Sequence, residues 1–199
     1  MPSNPVLVLL VASVVIVSAA GWASKGLRNA FVLWPYGVKR QKQVHRLLTA
    51  GWVHADPGHL FFNMLTHWFF APSVMAVLGI PRFLILYVTA VVVAFIPTTL
   101  RFMNKQNYSS LGASGATSAI VFSAIVSVPG IRVGLPFVPG LFLPGWLYGI
   151  LYVGYSAYHS WRSKDGINHD AHFSGAIYGA LLTFVFEPSR VQRTLQSMF

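Results

Sequence analysis

The sequence predicts an all-α membrane protein formed by a bundle of six transmembrane helices. Of its 199 residues, 55% are hydrophobic and only 9% are charged, and a soluble domain of this size does not need so apolar a composition. The hydrophobic residues are gathered into six continuous stretches, each close to the roughly 20 residues that a helix needs to cross a bilayer. These stretches fill most of the chain, so we expect residues 1–199 to form one membrane domain.

The six predicted helices follow one another along the chain. They are continuous apolar runs, whereas the strands of a membrane barrel alternate apolar and polar residues, so helices are the expected element. Their approximate bounds are 5–23, 59–79, 82–100, 112–128, 141–161 and 171–187. The first run could also be a secretory signal, but no basic residue precedes it in MPSNP, so we expect a retained first helix.

Charge and cysteine content limit the partners and the chemistry. The formal net charge is +10, but the basic residues lie between the apolar runs or near the C-terminus, where they would meet the lipid bilayer and not nucleic acid. The longest connection, 24–58, combines such residues with tryptophan and tyrosine, which suits a position at the membrane surface. The chain has no cysteine, which excludes disulfides, thiolate zinc sites and thiol nucleophiles.

Polar side chains within membrane helices are costly, so they indicate where function lies. His59 and Asn63 fall in the first turns of the second predicted helix, Ser114 in the first turn of the fourth, and His172 in the first turn of the sixth. Even-numbered helices of an antiparallel series run in the same direction. We therefore expect these four side chains to share one water-accessible pocket near one membrane face.

His59 and Asn63 are four residues apart, so both project from the same face of their helix. Both can donate a hydrogen bond, which suits the stabilisation of an oxyanion. A purely structural hydrogen bond between helices is the alternative.

Ser114 lies in the segment Gly112-Ala113-Ser114-Gly115. Glycines allow close approach of the backbone and leave the hydroxyl exposed, as a nucleophile requires. A packing surface of small residues, common in membrane helices, is the alternative.

His172 lies on the same helical face as Gly175 and Gly179. The spacing of these two glycines allows two membrane helices to touch closely. Contact with the small surface at Gly112 and Gly115 would bring His172 to Ser114, and a serine beside a histidine base is the minimal activated nucleophile.

The pattern predicts a Ser-His dyad that uses no metal and no cofactor. The acidic residues, which could orient the histidine of a triad, are few: Asp56, Asp165, Asp170 and Glu187. Asp170 is two residues before His172 and would point elsewhere in a continuous helix. A metal hydrolase with His169 and His172, aided by His54 and His59, is the rival chemistry, but the His-Glu-x-x-His pattern is missing.

These motifs together resemble the rhomboid family of intramembrane serine proteases. The matching pieces are His59-x-x-x-Asn63, Gly112-x-Ser114-Gly115 and Ala171-His172-x-x-Gly175-x-x-x-Gly179. The resemblance implies a compact rhomboid-like six-helix bundle in which Ser114 is the nucleophile and His172 the general base. It also implies an oxyanion hole formed by the Ser114 backbone N–H, His59 and Asn63.

Three positions depart from the family pattern. Ser118 stands where many relatives have a tyrosine that packs against the catalytic histidine, so His172 must be supported differently. Met75 stands where relatives often carry a glutamate, and His45, before Arg46, stands where bacterial relatives often have tryptophan.

The resemblance implies cleavage of single-span membrane proteins within their transmembrane segments. The minimal six-span form favours an integral, multi-pass protein of the bacterial inner membrane. A catalytically silent relative that binds membrane clients is the alternative; that alternative predicts loss of Ser114 or His172, and both are present. A small transporter is disfavoured because no charged residue lines an evident pathway.

Overall fold

The computed structural model describes residues 4–135, 138, 140–162 and 166–198, and this part of the chain is mostly helical. Its helices, in chain order, are α1 (Pro5–Ala23), α2 (Lys25–Phe31), α3 (Pro35–Gln41), α4 (Arg46–Thr49), α5 (Pro57–Phe102), α6 (Ser114–Ser127), α7 (Gly145–Arg162), α8 (His169–Phe186) and α9 (Pro188–Gln196). A 3-10 turn, Ala50–Trp52, follows α4. Two short strands, β1 (Arg132–Gly134) and β2 (Phe142–Pro144), pair antiparallel between α6 and α7.

Helix α5 is divided into two arms by Gly79, whose backbone is not helical (φ 74°, ψ 162°). The arms, 57–78 and 80–102, occupy the positions of the second and third predicted helices. Glycine adopts positive φ at little steric cost, and Pro81 fits the first turn of the second arm, where no intrahelical N–H bond is lost.

Most helix starts differ from the predicted bounds by two to four residues, and single residues explain three of these differences. Helix α7 begins at Gly145 and not at 141, because the residue before a proline is disfavoured in helical conformation, so Leu143 stays extended ahead of Pro144. Helix α6 begins at Ser114 because Gly112 has a φ of 112°. Helix α8 begins two residues early, at His169, because the Asn168 side chain caps it by accepting the N–H of Ala171.

The connection between α1 and α5 is a folded unit. Buried Arg46 donates from Nη1 to the carbonyls of Asn29 (2.6 Å) and Val32 (2.8 Å), which lie at the end of α2. A cation at a helix C-terminus satisfies the last carbonyls and complements the helix dipole. This arginine therefore fixes α2 against α4.

Helix α6 lies at the centre of the molecule, since twelve of its 14 residues are buried. It packs against both α5 and α8. A Cβ added at Gly175 would overlap the Gly115 carbonyl, and one at Gly179 would overlap Ala119. Only glycine at these two positions of α8 allows the backbones to touch.

By length and apolar composition, α1 and α5 are the helices of the described residues that are able to cross a membrane. Helix α6 is apolar but only 14 residues long.

Candidate active site

A cavity of about 960 Å³ opens where the first turns of α5, α6 and α8 meet. Its lining includes all four predicted reactive side chains, which are His59, Asn63, Ser114 and His172. The three helices begin at the same end of the bundle, as expected for helices that run in the same direction. Residues that lie more than 100 positions apart in the sequence therefore share one space.

Ser114 is the first residue of α6 and follows Ala113, which makes no side-chain cap. The first N–H groups of a helix have no intrahelical acceptor, and the helix dipole makes this end partially positive. The start of α6 therefore suits a developing negative charge beside the Ser114 hydroxyl.

The backbone before Ser114 is held by a buried histidine, His54. Its Nε2 accepts the Ala113 N–H (3.2 Å), so the ring proton lies on Nδ1, which is 2.9 Å from the Ser18 hydroxyl. Ser18 in turn donates to the Trp52 carbonyl (2.9 Å). Burial, and to a lesser extent His59 and His67, lower the pKa of His54 to about 3, so it stays neutral and keeps an acceptor for Ala113.

Gly112 allows this loop to cross the ring of His59. Its φ is 112°, a conformation that residues with a Cβ rarely adopt, and an added Cβ would lie 2.5 Å from Cε1 and 2.8 Å from Nε2 of His59. The Gly112 N–H is bound by the Ala50 carbonyl at 2.8 Å. The His59 ring is thus fixed directly beside the segment that carries Ser114.

The Asn63 amide is oriented by two hydrogen bonds. Its Nδ2 donates to the His59 carbonyl (2.8 Å), and its Oδ1 accepts from the Thr117 hydroxyl (2.9 Å). An amide nitrogen has two hydrogens, so the second can serve a group in the cavity. Thr117 therefore sets which end of the amide is available for an oxyanion.

His172 lies in the first turn of α8, on the cavity wall. The contact of Gly175 with Gly115 brings this turn against the start of α6. Among the described residues, no hydrogen bond joins the Ser114 hydroxyl to the His172 ring. Catalytic hydrogen bonds are often long without substrate and shorten when it binds.

The His172 ring is bordered by two other rings. Tyr152 of α7 stacks on it, with centroids 6.3 Å apart and planes 24° apart. His169 meets it edge to face at 5.9 Å. The tyrosine that the family pattern places at position 118 is thus replaced by a ring from a different helix, and the Tyr152 hydroxyl lies 2.6 Å from the Ser118 Oγ.

Each carboxylate in the described residues has a partner of its own. Asp56 caps α5 by accepting the His59 N–H (2.8 Å). Asp170 is paired with Arg101 at 3.1 Å, and Glu187 with Arg82 at 2.7 Å. Asp165 lies outside the described residues.

The histidines offer no evident metal centre. Both ring nitrogens of His54 are used in hydrogen bonds, so it has no lone pair for a metal. Over the residues that the structure describes, no group of three or more potential ligands is arranged around a common point.

Three supporting residues of this site, His54, Thr117 and Tyr152, were not predicted from the sequence. His54 was considered only as a metal ligand, and neither Thr117 nor Tyr152 was singled out. The one sequence signal that could have pointed to His54 is its short distance, five residues, from His59. The roles of the other two depend on which helix faces meet.

The comparison with protein families agrees with this geometry. The model of the Rhomboid domain matches residues 41–189, about three quarters of the chain. This chain belongs to the rhomboid family. The match covers every side chain named above in the cavity wall.

Curated rhomboid-like relatives are similar over a shared segment. Presenilin-associated rhomboid-like protein A, mitochondrial, of Danio rerio is 24% identical over 60% of this chain and 39% of its own length. The human presenilin-associated rhomboid-like protein, mitochondrial, is 28% identical over 67% of this chain and 35% of its own length. RHOMBOID-like protein 12, mitochondrial, of Arabidopsis thaliana is 29% identical over 70% of this chain and 45% of its own length. The chain thus spans less than half the length of these relatives.

Proposed function

We propose that this rhomboid-family chain is an intramembrane serine endopeptidase that hydrolyses peptide bonds in the transmembrane segments of single-span membrane proteins. The observation that carries the proposal is the convergence of Ser114 and His172 with two oriented donors, His59 and Asn63, in one cavity at the start of three helices.

The first step is attack by the Ser114 Oγ on the substrate carbonyl carbon. His172 takes the hydroxyl proton as the new C–O bond forms, and the carbonyl oxygen becomes an oxyanion. The Ser114 backbone N–H, the His59 ring and the second hydrogen of the Asn63 amide are the donors for this oxyanion. Removal of one such donor typically costs about 2.7–4 kcal/mol of barrier.

The second half of the reaction releases both products. His172 returns its proton to the leaving amine as the C–N bond breaks, which leaves an acyl-enzyme on Ser114. Water then attacks the ester, its proton passes to His172, and the acid product leaves as Ser114 regains its proton.

The proposed setting is a bundle of six spans: α1, the two arms of α5, α6, α7 and α8. Polar side chains inside such a bundle are tolerated where they line a water-filled cavity. A helical substrate hides its carbonyls in intrahelical hydrogen bonds, so the cleaved segment must unwind first. This favours cleavage near small or helix-breaking residues.

We propose an integral, multi-pass location in a cellular membrane. The relatives described above are all named as mitochondrial, so they lend no support to the bacterial inner membrane that the sequence suggested.

Cleavage of a model single-span substrate by the purified protein in liposomes tests the proposal. We expect cleavage by the wild type and none by Ser114→Ala or His172→Ala. Ser109→Ala, an exposed serine on the cavity rim, serves as the control for a lost hydroxyl. Cleavage that persists in Ser114→Ala would contradict a serine mechanism.

A membrane client-binding protein without catalysis is the second candidate. It would use the same cavity to hold a client segment. In that case the wild type would bind single-span membrane proteins from a panel of candidate substrates but would cleave none of them.

A further inference from the structure

We infer that Tyr152 of α7 is a positioning residue that aligns both members of the Ser114–His172 pair. This inference rests on the proposed protease function and concerns the same site. Tyr152 is the one described side chain outside α6 and α8 that contacts His172 through its ring and connects to Ser114 through a hydrogen-bond chain.

The ring of Tyr152 restricts the orientation of the His172 ring. The two centroids lie 6.3 Å apart with planes inclined by 24°, within the 4.5–7 Å range of offset-stacked aromatic pairs. A histidine side chain turns about two bonds, and a flat neighbour on one side limits that turning. The stacked phenol ring thus limits the orientations that the imidazole can adopt on the cavity wall.

The hydroxyl of Tyr152 reaches the nucleophile residue through Ser118. The Ser114 carbonyl can only accept, so the Ser118 hydroxyl donates to it at 2.9 Å. A serine hydroxyl has a single hydrogen, and therefore Tyr152 is the donor in its 2.6 Å contact with Ser118. The direction of this chain, from phenol to Ser118 to the Ser114 carbonyl, follows from hydrogen counting alone.

The Tyr152 ring is itself held by aromatic neighbours. Phe122 of α6 lies 5.6 Å from it, inclined by 52°, and Tyr148 of α7 stacks at 5.7 Å and 25°. Ser118 is only 5% exposed, so its hydrogen bonds are shielded from competition with water. A buried and fully used polar network specifies one arrangement of the groups that it joins.

Helix α7, in contrast, is loosely embedded, since three of its 18 residues are buried, Gly145, Gly149 and Ser156. Tyr152 contacts both His172 and the hydrogen-bond chain to Ser114. The position of α7, an outer helix, therefore affects how Ser114 and His172 are aligned.

The test measures kcat and KM for cleavage of a single-span substrate in liposomes, together with the rate at which a fluorophosphonate labels Ser114. Tyr152→Leu removes the ring and should lower kcat and the labelling rate by roughly ten- to hundredfold with little change in KM. Tyr152→Phe keeps the ring and should lower kcat by about two- to tenfold. Tyr158→Leu, an exposed tyrosine on the same helix, is the matched control and should match the wild type.

Rescue separates positioning from a general loss of packing. Because Ser118 and Tyr152 are in direct contact, the exchange Ser118→Tyr with Tyr152→Ser returns a ring to the same gap. We expect this double variant to regain part of the kcat that Tyr152→Ser alone loses. Should Tyr152→Leu fail to fold, as judged by its thermal midpoint, Tyr152→Phe and Ser118→Ala still test the hydroxyl chain, and their effects should not add.

Two results overturn the inference and remain distinguishable. A wild type that neither cleaves nor is labelled removes the proposed function and this role with it. An active wild type whose kcat and labelling rate are unchanged in Tyr152→Leu and Tyr152→Phe removes the role of Tyr152 alone.

Discussion

At the residue scale, two closely packed residues, Gly112 and His54, hold the backbone that leads into Ser114. Gly112 combines a positive φ with direct contact to the His59 ring. His54 joins Ser18 to the Ala113 N–H while almost fully buried. These two residues fix the backbone that presents Ser114, although neither takes part in the chemistry.

The first prediction concerns Gly112→Ala. The added Cβ would displace His59, so we expect kcat for substrate cleavage to fall by about a hundredfold or more, as misplacement of a reacting group by about 1 Å does. Gly130→Ala is the control, because Gly130 also has a positive φ (68°) but no neighbour within 4 Å of an added Cβ. If both variants lower kcat equally, backbone strain and not contact with His59 is responsible.

The second prediction uses the depressed pKa of His54, about 3 against its ordinary 6.5. Below about pH 6.5 the His54 imidazole is protonated in the unfolded chain but stays neutral in the folded protein. The free energy of unfolding therefore falls as the pH decreases from about 6.5 toward 3. Glutamine can replace both hydrogen bonds without titrating. Thermal midpoints at pH 7 and pH 5 should therefore differ less in His54→Gln than in the wild type.

The variant His54→Ala completes this comparison. It leaves the Ala113 N–H without its acceptor, which costs about 1–3 kcal/mol, and should lower the thermal midpoint at both pH values. An equal pH dependence in the wild type and His54→Gln would contradict the assignment of the effect to His54.

The sequence predicted that His59, Asn63, Ser114 and His172 share one cavity, as the structure shows, but it did not predict the residues that support them. Ser114 and His172 lie in local motifs whose spacing carries meaning by itself. Thr117 and Tyr152 have no such motif, because their roles depend on Asn63 and His172, which belong to other helices. The spacing of residues within one helix does not tell which side chain of another helix a single residue meets.

At the element scale, the helix bounds were predictable to within a few residues, because continuous apolar runs are long and strongly marked. The errors occur at ends that are decided by single residues, such as Pro144, Gly112 and the cap Asn168. The short helices α2, α3 and α4 were expected only as a surface-lying connection, since buried Arg46 organises them through contacts with distant carbonyls.

The third prediction concerns the contact between α6 and α8. Gly175→Ala would force a methyl group into the Gly115 carbonyl, and such overpacking costs about 1–3 kcal/mol. The helices must separate, so His172 moves relative to Ser114. We therefore expect kcat to fall even at temperatures where the variant remains folded. Gly154→Ala, with open space around an added Cβ, should retain both kcat and the thermal midpoint. A Gly175→Ala variant with wild-type kcat would contradict the packing role.

At the scale of the whole molecule, the chain combines a rhomboid domain with strongly apolar helices. In the described part of the chain, α1 and α5 are long and apolar enough to cross a membrane. The total of six spans therefore stays a prediction. Composition predicted a membrane protein, whereas α7 and α8 carry polar residues at the cavity, which lowers their apolar character.

The fourth prediction tests six spans by the position of single cysteines. The natural chain has none, so each added thiol reports alone. Asn29→Cys and Asn107→Cys should react with a membrane-impermeant maleimide from one side of sealed vesicles, and Gln196→Cys from the other. Reaction of all three from the same side would contradict an arrangement with six spans.

The measurement that most directly tests the central claim is covalent labelling of the purified protein in liposomes with a fluorophosphonate, followed by peptide mapping. A serine activated by His172 should form a single adduct at Ser114, and His172→Ala should lose it although Ser114 is still present. Labelling of Ser114 that is unchanged in His172→Ala, or an adduct formed only at other residues, would contradict the dyad.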